Sequence, residues 1–135
     1  MNGSILLTIA DKDKNDAKAL IKTLDKVGYT LFATEGTAKL IAQLGIPVKI
    51  VNKAGESLPN AVSIVEEGSV SGVVNTIEEV TAALKDGFAI RRAATERRIP
   101  CYTSMDTAKV AINAISSQYA DTKIATISEY VLGFN

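Results

Sequence analysis

The 135-residue chain has no histidine and no tryptophan, and its single cysteine is Cys101. Histidine is the commonest general base and metal ligand near neutral pH, so acid–base work would fall to lysine, tyrosine or a carboxylate. A lone cysteine forms no internal disulfide, which fits a reducing compartment. Aromatic residues are only 5% of the chain, so the core must be aliphatic. Basic and acidic residues balance at 15 each. A nucleic-acid-binding domain carries a basic excess, so no nucleic-acid partner is expected. No apolar run reaches the ~20 residues that cross a bilayer, and the N-terminus lacks the basic-then-apolar pattern of a leader. The expected setting is the cytoplasm, with no membrane partner. Walker A, G-x-G-x-x-G and clustered Cys/His patterns are also missing, which leaves ATP hydrolysis, dinucleotide chemistry and a bound metal without support.

What is present is an aliphatic rhythm. Apolar residues make up 47% of the chain, and a chain of this length buries about two-thirds of its unfolded surface as one domain. Three amphipathic stretches end in a glycine, at Gly28, Gly45 and Gly68, and each is followed by a β-type run. Glycine takes the left-handed C′ position without a Cβ penalty, so each reads as a helix stop. The apolar stripes before them are Ala17, Leu20, Ile21, Leu24 and Val27, then Leu40, Ile41 and Leu44, then Ala61, Val62 and Val65. Pro59 suits the first turn of the third. Strand-like runs cover Ile5–Ile9, Thr30–Ala33, Val48–Val51, Val70–Val74 and Cys101–Thr103. A helical stretch ends near Arg98, and Ser104 or Asp106 caps a last helix through Val110, Ile112 and Ile115. Near-continuous apolar strands alternating with helices predict an α/β sandwich on a parallel sheet of about five strands. The domain is expected over 1–118, with 119–135 as a tail that either docks or is disordered.

In an open parallel sheet, ligands bind beyond the carboxyl ends of the strands, where strand order reverses. The loops after the strands hold Asp11 to Lys14, then Thr34-Glu35-Gly36-Thr37, then Asn52 to Ser57, then Asn75-Thr76. Helix N-termini offer free N–H groups and partial positive charge. Gly36 lets backbone approach an anion, Thr34 and Thr37 add hydroxyls, and Lys14 and Lys53 add charge. The pattern predicts a phosphate or carboxylate site. Each element also has a structural alternative. Thr34 and Thr37 also read as helix caps, the commoner role of such residues before a helix, lysines at 14, 18, 22 and 26 as a solvated face, Cys101 as core, and Arg91-Arg92 as surface charge.

The segments Leu6 to Lys14, Ala33 to Ala38, Gly45-Ile46-Pro47, Val51-Asn52-Lys53, Val74-Asn75-Thr76, Ala89 to Ala94, Ile99-Pro100 and Thr103-Ser104 occur in a telling order. The series resembles the C-terminal allosteric domain of the carbamoyl phosphate synthase large subunit, over roughly residues 4 to 117. The resemblance implies a methylglyoxal-synthase-like fold, a three-layer sandwich on a five-stranded parallel sheet in the order 3-2-1-4-5. It implies an effector site at Lys14, Thr34, Thr37, Lys53, Asn75 and Thr76, with Thr8 nearby, taking UMP or IMP, and ornithine as an effector bound near the junction with the synthase body. No catalytic residue, metal or cofactor is expected in this domain. The parent's ATP and Mg2+ or Mn2+ would be held by other domains, with the rest of the large chain and a small glutaminase subunit as partners. Where the family continues Asn-Thr with a further hydroxyl or proline, then serine and glycine, this chain has Ile77-Glu78-Glu79. Two acids there oppose a phosphate, which fits an arginine-branch synthase with weak or lost nucleotide control.

Two other functions share the pattern. Methylglyoxal synthase acts on dihydroxyacetone phosphate with an aspartate and a histidine. Here Gly36-Thr37 matches its phosphate loop in part, but the loop Lys53 to Leu58 offers only Glu56. The third reading is an oligomerisation module with a vestigial pocket, the chain then forming a homo-oligomer.

Overall fold

The computed structural model describes residues 3–77 and 81–131, with side chains over 3–77 and 85–118. In chain order the elements are β1 (Ser4–Thr8), a 3-10 turn (Asp11–Asp13), α1 (Lys14–Val27), β2 (Thr30–Ala33), α2 (Glu35–Gln43), β3 (Lys49–Ile50), α3 (Ala61–Glu66), β4 (Gly72–Asn75), α4 (Thr81–Glu96), β5 (Cys101–Tyr102) and α5 (Met105–Val131). The strands form one five-stranded sheet ordered β3-β2-β1-β4-β5, and every pairing is parallel. That is the order expected above.

The alternation of β1 builds the three layers. Ile5 and Leu7 join a cluster with Leu20, Ile21 and Leu24 of α1, Ile41 of α2 and Ile112 of α5. Leu6 joins Ala61 and Val65 of α3 with Ile90 and Ala94 of α4. Parallel crossovers place helices on both faces, so a strand buried on each side must be apolar throughout. The helix stops are where the sequence puts them. Gly28 has φ 103° and its N–H donates to the carbonyls of Leu24 and Asp25, and Gly45 and Gly68 share the left-handed conformation.

Strands β1 and β5 shift by a residue at their ends, and the larger differences from expectation lie in β3, β4 and α5. β3 is only Lys49–Ile50, both exposed, because it is an edge strand laddered to β2 over two residues. β4 begins at Gly72 rather than Val70, because its ladder with β1 pairs Gly72–Asn75 with Ile5–Thr8. Asn75 therefore ends a strand rather than starting a loop. Val110 is 72% exposed, and the buried face of α5 is instead Met105, Ala108 and Ile112. Residues at i, i+3 and i+7 share a helix face that excludes i+5. Helix α5 also continues through residue 118 to Val131; the docking expected of 119–135 lies outside the described side chains. Among the described residues, no helix is long and apolar enough to cross a membrane.

Pro59 is not in the first turn of α3. It precedes the N-cap Asn60, whose side chain accepts from the N–H groups of Val62 and Ser63, while Ser63 Oγ accepts from Asn60 N–H. Asn60 Nδ2 also donates to Glu56 O at 2.8 Å, tying the preceding loop to the helix. Asn60→Ala should therefore cost about 1–2 kcal/mol, read as a lower urea midpoint. An unchanged midpoint would show that this cap contributes nothing.

Candidate functional site

At the carboxyl end of the sheet lies a cavity of about 560 Å3. β1 sits between β2 and β4, so this is where successive connections leave in opposite directions and a crevice opens. All eight residues singled out by sequence reach its wall: Thr8, Lys14, Thr34, Gly36, Thr37, Lys53, Asn75 and Thr76. Ile9, Ile77 and Ile90 supply apolar wall, and Asp11 and Asp86 bring carboxylates to the rim.

The threonines divide by what they already bind. Thr34 occupies the N-cap of α2, yet its side chain makes no capping bond. Thr37 is buried and its hydroxyl accepts the Ile9 N–H at 3.0 Å. Neither works as a side-chain cap, which removes that structural alternative for both. Thr76 Oγ1 accepts the Ala10 N–H at 2.9 Å, and Thr8 Oγ1 accepts from Asn75 Nδ2 at 2.6 Å. These bonds lock β1, α2 and β4 to one another around the cavity.

Charge is concentrated at the first turn of α2. A Cβ built on Gly36 would lie 3.2 Å from Lys14 Nζ, so the ammonium rests against the helix N-terminus with nothing between. Two positive features thus coincide, the free N–H groups of the turn and the lysine. Lys14 is also paired with the Asp11 carboxylate. The hydrogen bond and then the charge of Lys14 hold Asp11 below the usual carboxylate range. Lysines 18, 22 and 26 are exposed, the solvated face expected of that stripe.

Asp11 and an anionic ligand would compete for one ammonium. Asp11→Asn should strengthen phosphate binding about two- to fivefold at pH 7, the range of an exposed ion pair. Because the folded-state pKa of Asp11 is lowered, its pairing is complete above the ordinary carboxylate pKa and disappears only as pH falls through the lowered value. Between pH 6 and 8 the gain should therefore not depend on Asp11 ionisation. Isothermal titration of both chains with phosphate checks this, and a weaker-binding Asp11→Asn would show that Asp11 positions Lys14 rather than competing for it.

Lys53 reaches the rim from an exposed loop, and its N–H donates to Glu56 Oε1 at 2.9 Å. Glu56 closes its own loop and is not on the cavity wall, consistent with a solvated loop charge. Cys101 packs against the apolar cluster beneath α3 and α4. Burial pushes its thiol pKa up while the Arg91 charge pulls it back. Glu78 and Glu79 lie outside the described residues.

Sequence reading left out Asp86 and Gly87, because α4 was placed only by its end near Arg98. A Cβ on Gly87 would run into Ile77, so this glycine lets α4 close over the pocket wall. The sequence alone does not decide between surface charge and function for Arg91. Arg91 stands behind Asn75, donating from Nε to Oδ1 at 3.0 Å and from Nη2 to the carbonyl at 3.1 Å. The available signal was Asn75 itself, since a buried amide needs partners on both ends.

Fold and site together define a doubly wound α/β domain with a cavity of mixed polar and apolar lining at its topological switch point. The family model for MGS-like domains matches residues 16–103, and the chain belongs to that family. The match includes Thr34, Gly36, Thr37, Lys53, Asn75 and Thr76, while Thr8 and Lys14 precede it.

Proposed function

We propose that the chain is the regulatory domain of a carbamoyl phosphate synthase large chain. Its cavity would take the phosphate or carboxylate end of a small effector, of the UMP, IMP or ornithine kind. The observation that carries this reading is the convergence of Lys14, the α2 N-terminus and the hydroxyls of Thr8, Thr37 and Thr76 on one cavity. These groups bind an anion, and the chain has no imidazole to add proton transfer. In the parent enzyme, carbamoyl phosphate would be made from bicarbonate, an ammonia source and ATP in other domains, which would also hold the Mg2+ or Mn2+. Occupancy of this cavity would modulate that synthesis for arginine or pyrimidine production, in the cytoplasm, through contacts with the rest of the large chain and its glutaminase subunit.

A thermal-shift screen of the full chain with UMP, IMP, ornithine, arginine and inorganic phosphate tests this. A ligand at about 100 times Kd stabilises the fold by about 2.7 kcal/mol, a shift of several degrees. At least one of the five should do so. No shift with any would favour an oligomerisation module, which sedimentation of the chain would then reveal.

A second reading is supported by Asp86, a half-buried carboxylate on the cavity wall. Methylglyoxal synthase needs such a base beside its phosphate site. Release of methylglyoxal from dihydroxyacetone phosphate by the native chain, lost in Asp86→Asn, would establish that reading over the first.

A further inference from the structure

Three threonine hydroxyls on the cavity wall, those of Thr8, Thr37 and Thr76, each already accept an N–H hydrogen bond from the protein. A hydroxyl that accepts from behind has its own proton left to donate forward. For Thr37 and Thr76 the donor is a backbone N–H, which cannot reverse. For Thr8 the donor is the side-chain amide of Asn75, and an amide can turn over and present oxygen instead of nitrogen. One group forbids that. Arg91 Nε donates to Asn75 Oδ1 at 3.0 Å, and a guanidinium has donors only. The oxygen of Asn75 must therefore face Arg91, and its nitrogen must face Thr8.

We infer that Arg91 is a positioning residue that sets the proton direction at Thr8 through Asn75, so that the cavity offers donors and selects a fully ionised oxyanion. Arg91 does not line the cavity and acts without touching the ligand. Its second bond, from Nη2 to the Asn75 carbonyl at 3.1 Å, fixes the guanidinium so that the first cannot swing away. Asn75 is buried, so no competing water replaces Arg91 without cost. If Arg91 loses its donors, Asn75 is free to turn its oxygen to Thr8. The Thr8 proton would then point inward, and its lone pairs would face the ligand. The inference rests on the cavity being an anion site.

The test is a double-mutant cycle on the full chain, with inorganic phosphate as the probe and titration calorimetry as the readout. Arg91→Met should weaken phosphate binding about tenfold, the scale of one hydrogen bond to a charged group. In the Thr8→Val background the same substitution should change it less than about twofold, because no hydroxyl remains to be turned. An equal loss in both backgrounds means that Arg91 acts by its charge, and overturns the inference. The native chain supplies an independent arm that needs neither a folded variant nor phosphate binding. One Asn75 side-chain N–H proton should resonate downfield and exchange slowly in the unliganded native protein, because it is held on Thr8 Oγ1. A freely exchanging Asn75 amide in the native chain overturns the inference. Failure of phosphate to bind while that amide is protected overturns the anion-site reading instead.

Discussion

Gly36→Asp should leave the fold as stable as before and weaken phosphate binding about a hundredfold. The site of substitution is the first turn of α2, where an acidic side chain is favoured by the helix dipole by a few tenths of a kcal/mol. The new carboxylate would also lie beside Lys14, whose ammonium is 3.2 Å from the position of the Cβ. Stability should therefore hold or rise slightly. Binding should not survive, because the same carboxylate occupies the two cationic features that an oxyanion needs. Like charges ~4 Å apart repel by about 4 kcal/mol at a near-surface dielectric, more than the ~2.7 kcal/mol that a hundredfold represents. Thermal melting and phosphate titration of the same preparation separate the two effects. Undiminished binding would move the anion away from α2, and a large fall in melting temperature would show that Gly36 is required by the backbone instead.

The second large effect is on stability. Leu7 is fully buried in β1, the strand that pairs with β2 at Ala33 and with β4 at Val74. It belongs to the cluster beneath α1, α2 and α5. Leu7→Ala should cost about 2–5 kcal/mol, a large share of the ~5–15 kcal/mol that holds a domain together. Val110→Ala, at a 72% exposed position, should change stability by less than ~0.5 kcal/mol. Urea denaturation of the pair measures both. Similar costs at the two positions would mean that the face assigned to α5 is wrong.

Much of this was legible from residue order. The three glycine stops, the stripe of α1 and the aliphatic strands follow from local geometry, since a left-handed C-cap and a 3.6-residue period are properties of the segment itself. The sheet order came from the resemblance, because no local pattern says which strand lies beside which. For β3 and α5 the deciding interactions lie far away in sequence. Val48 and Val51 look like strand ends, but the length of β3 is set by the pairing of Lys49 and Ile50 with Phe32 and Ala33 of β2. Val110 looks like part of an apolar stripe, but the face of α5 is chosen by what α1 and the sheet offer.

The cavity shows the same division. Eight of its wall residues were found because ligand loops follow strand ends and carry hydroxyl, glycine and lysine. What each hydroxyl does was hidden, because the partners of Thr37 and Thr76 are Ile9 and Ala10, 28 and 66 positions away. Arg91 is separated from Asn75 by 16 positions, and nothing in a run of Ile-Arg-Arg-Ala says which arginine turns inward. Only the fold gives Arg91 a role distinct from its exposed neighbour Arg92.

The proposed effector site requires an oxyanion bound in the crevice beside β1 and α2. Titrating the native chain with inorganic phosphate and with UMP, while following its backbone amide resonances, tests it most directly. The expected result is a saturable shift concentrated at Gly36 and Thr37, with smaller shifts at Ala10 and Thr76 and none at Val110. Silent resonances at millimolar ligand, or shifts centred away from the first turn of α2, would contradict it.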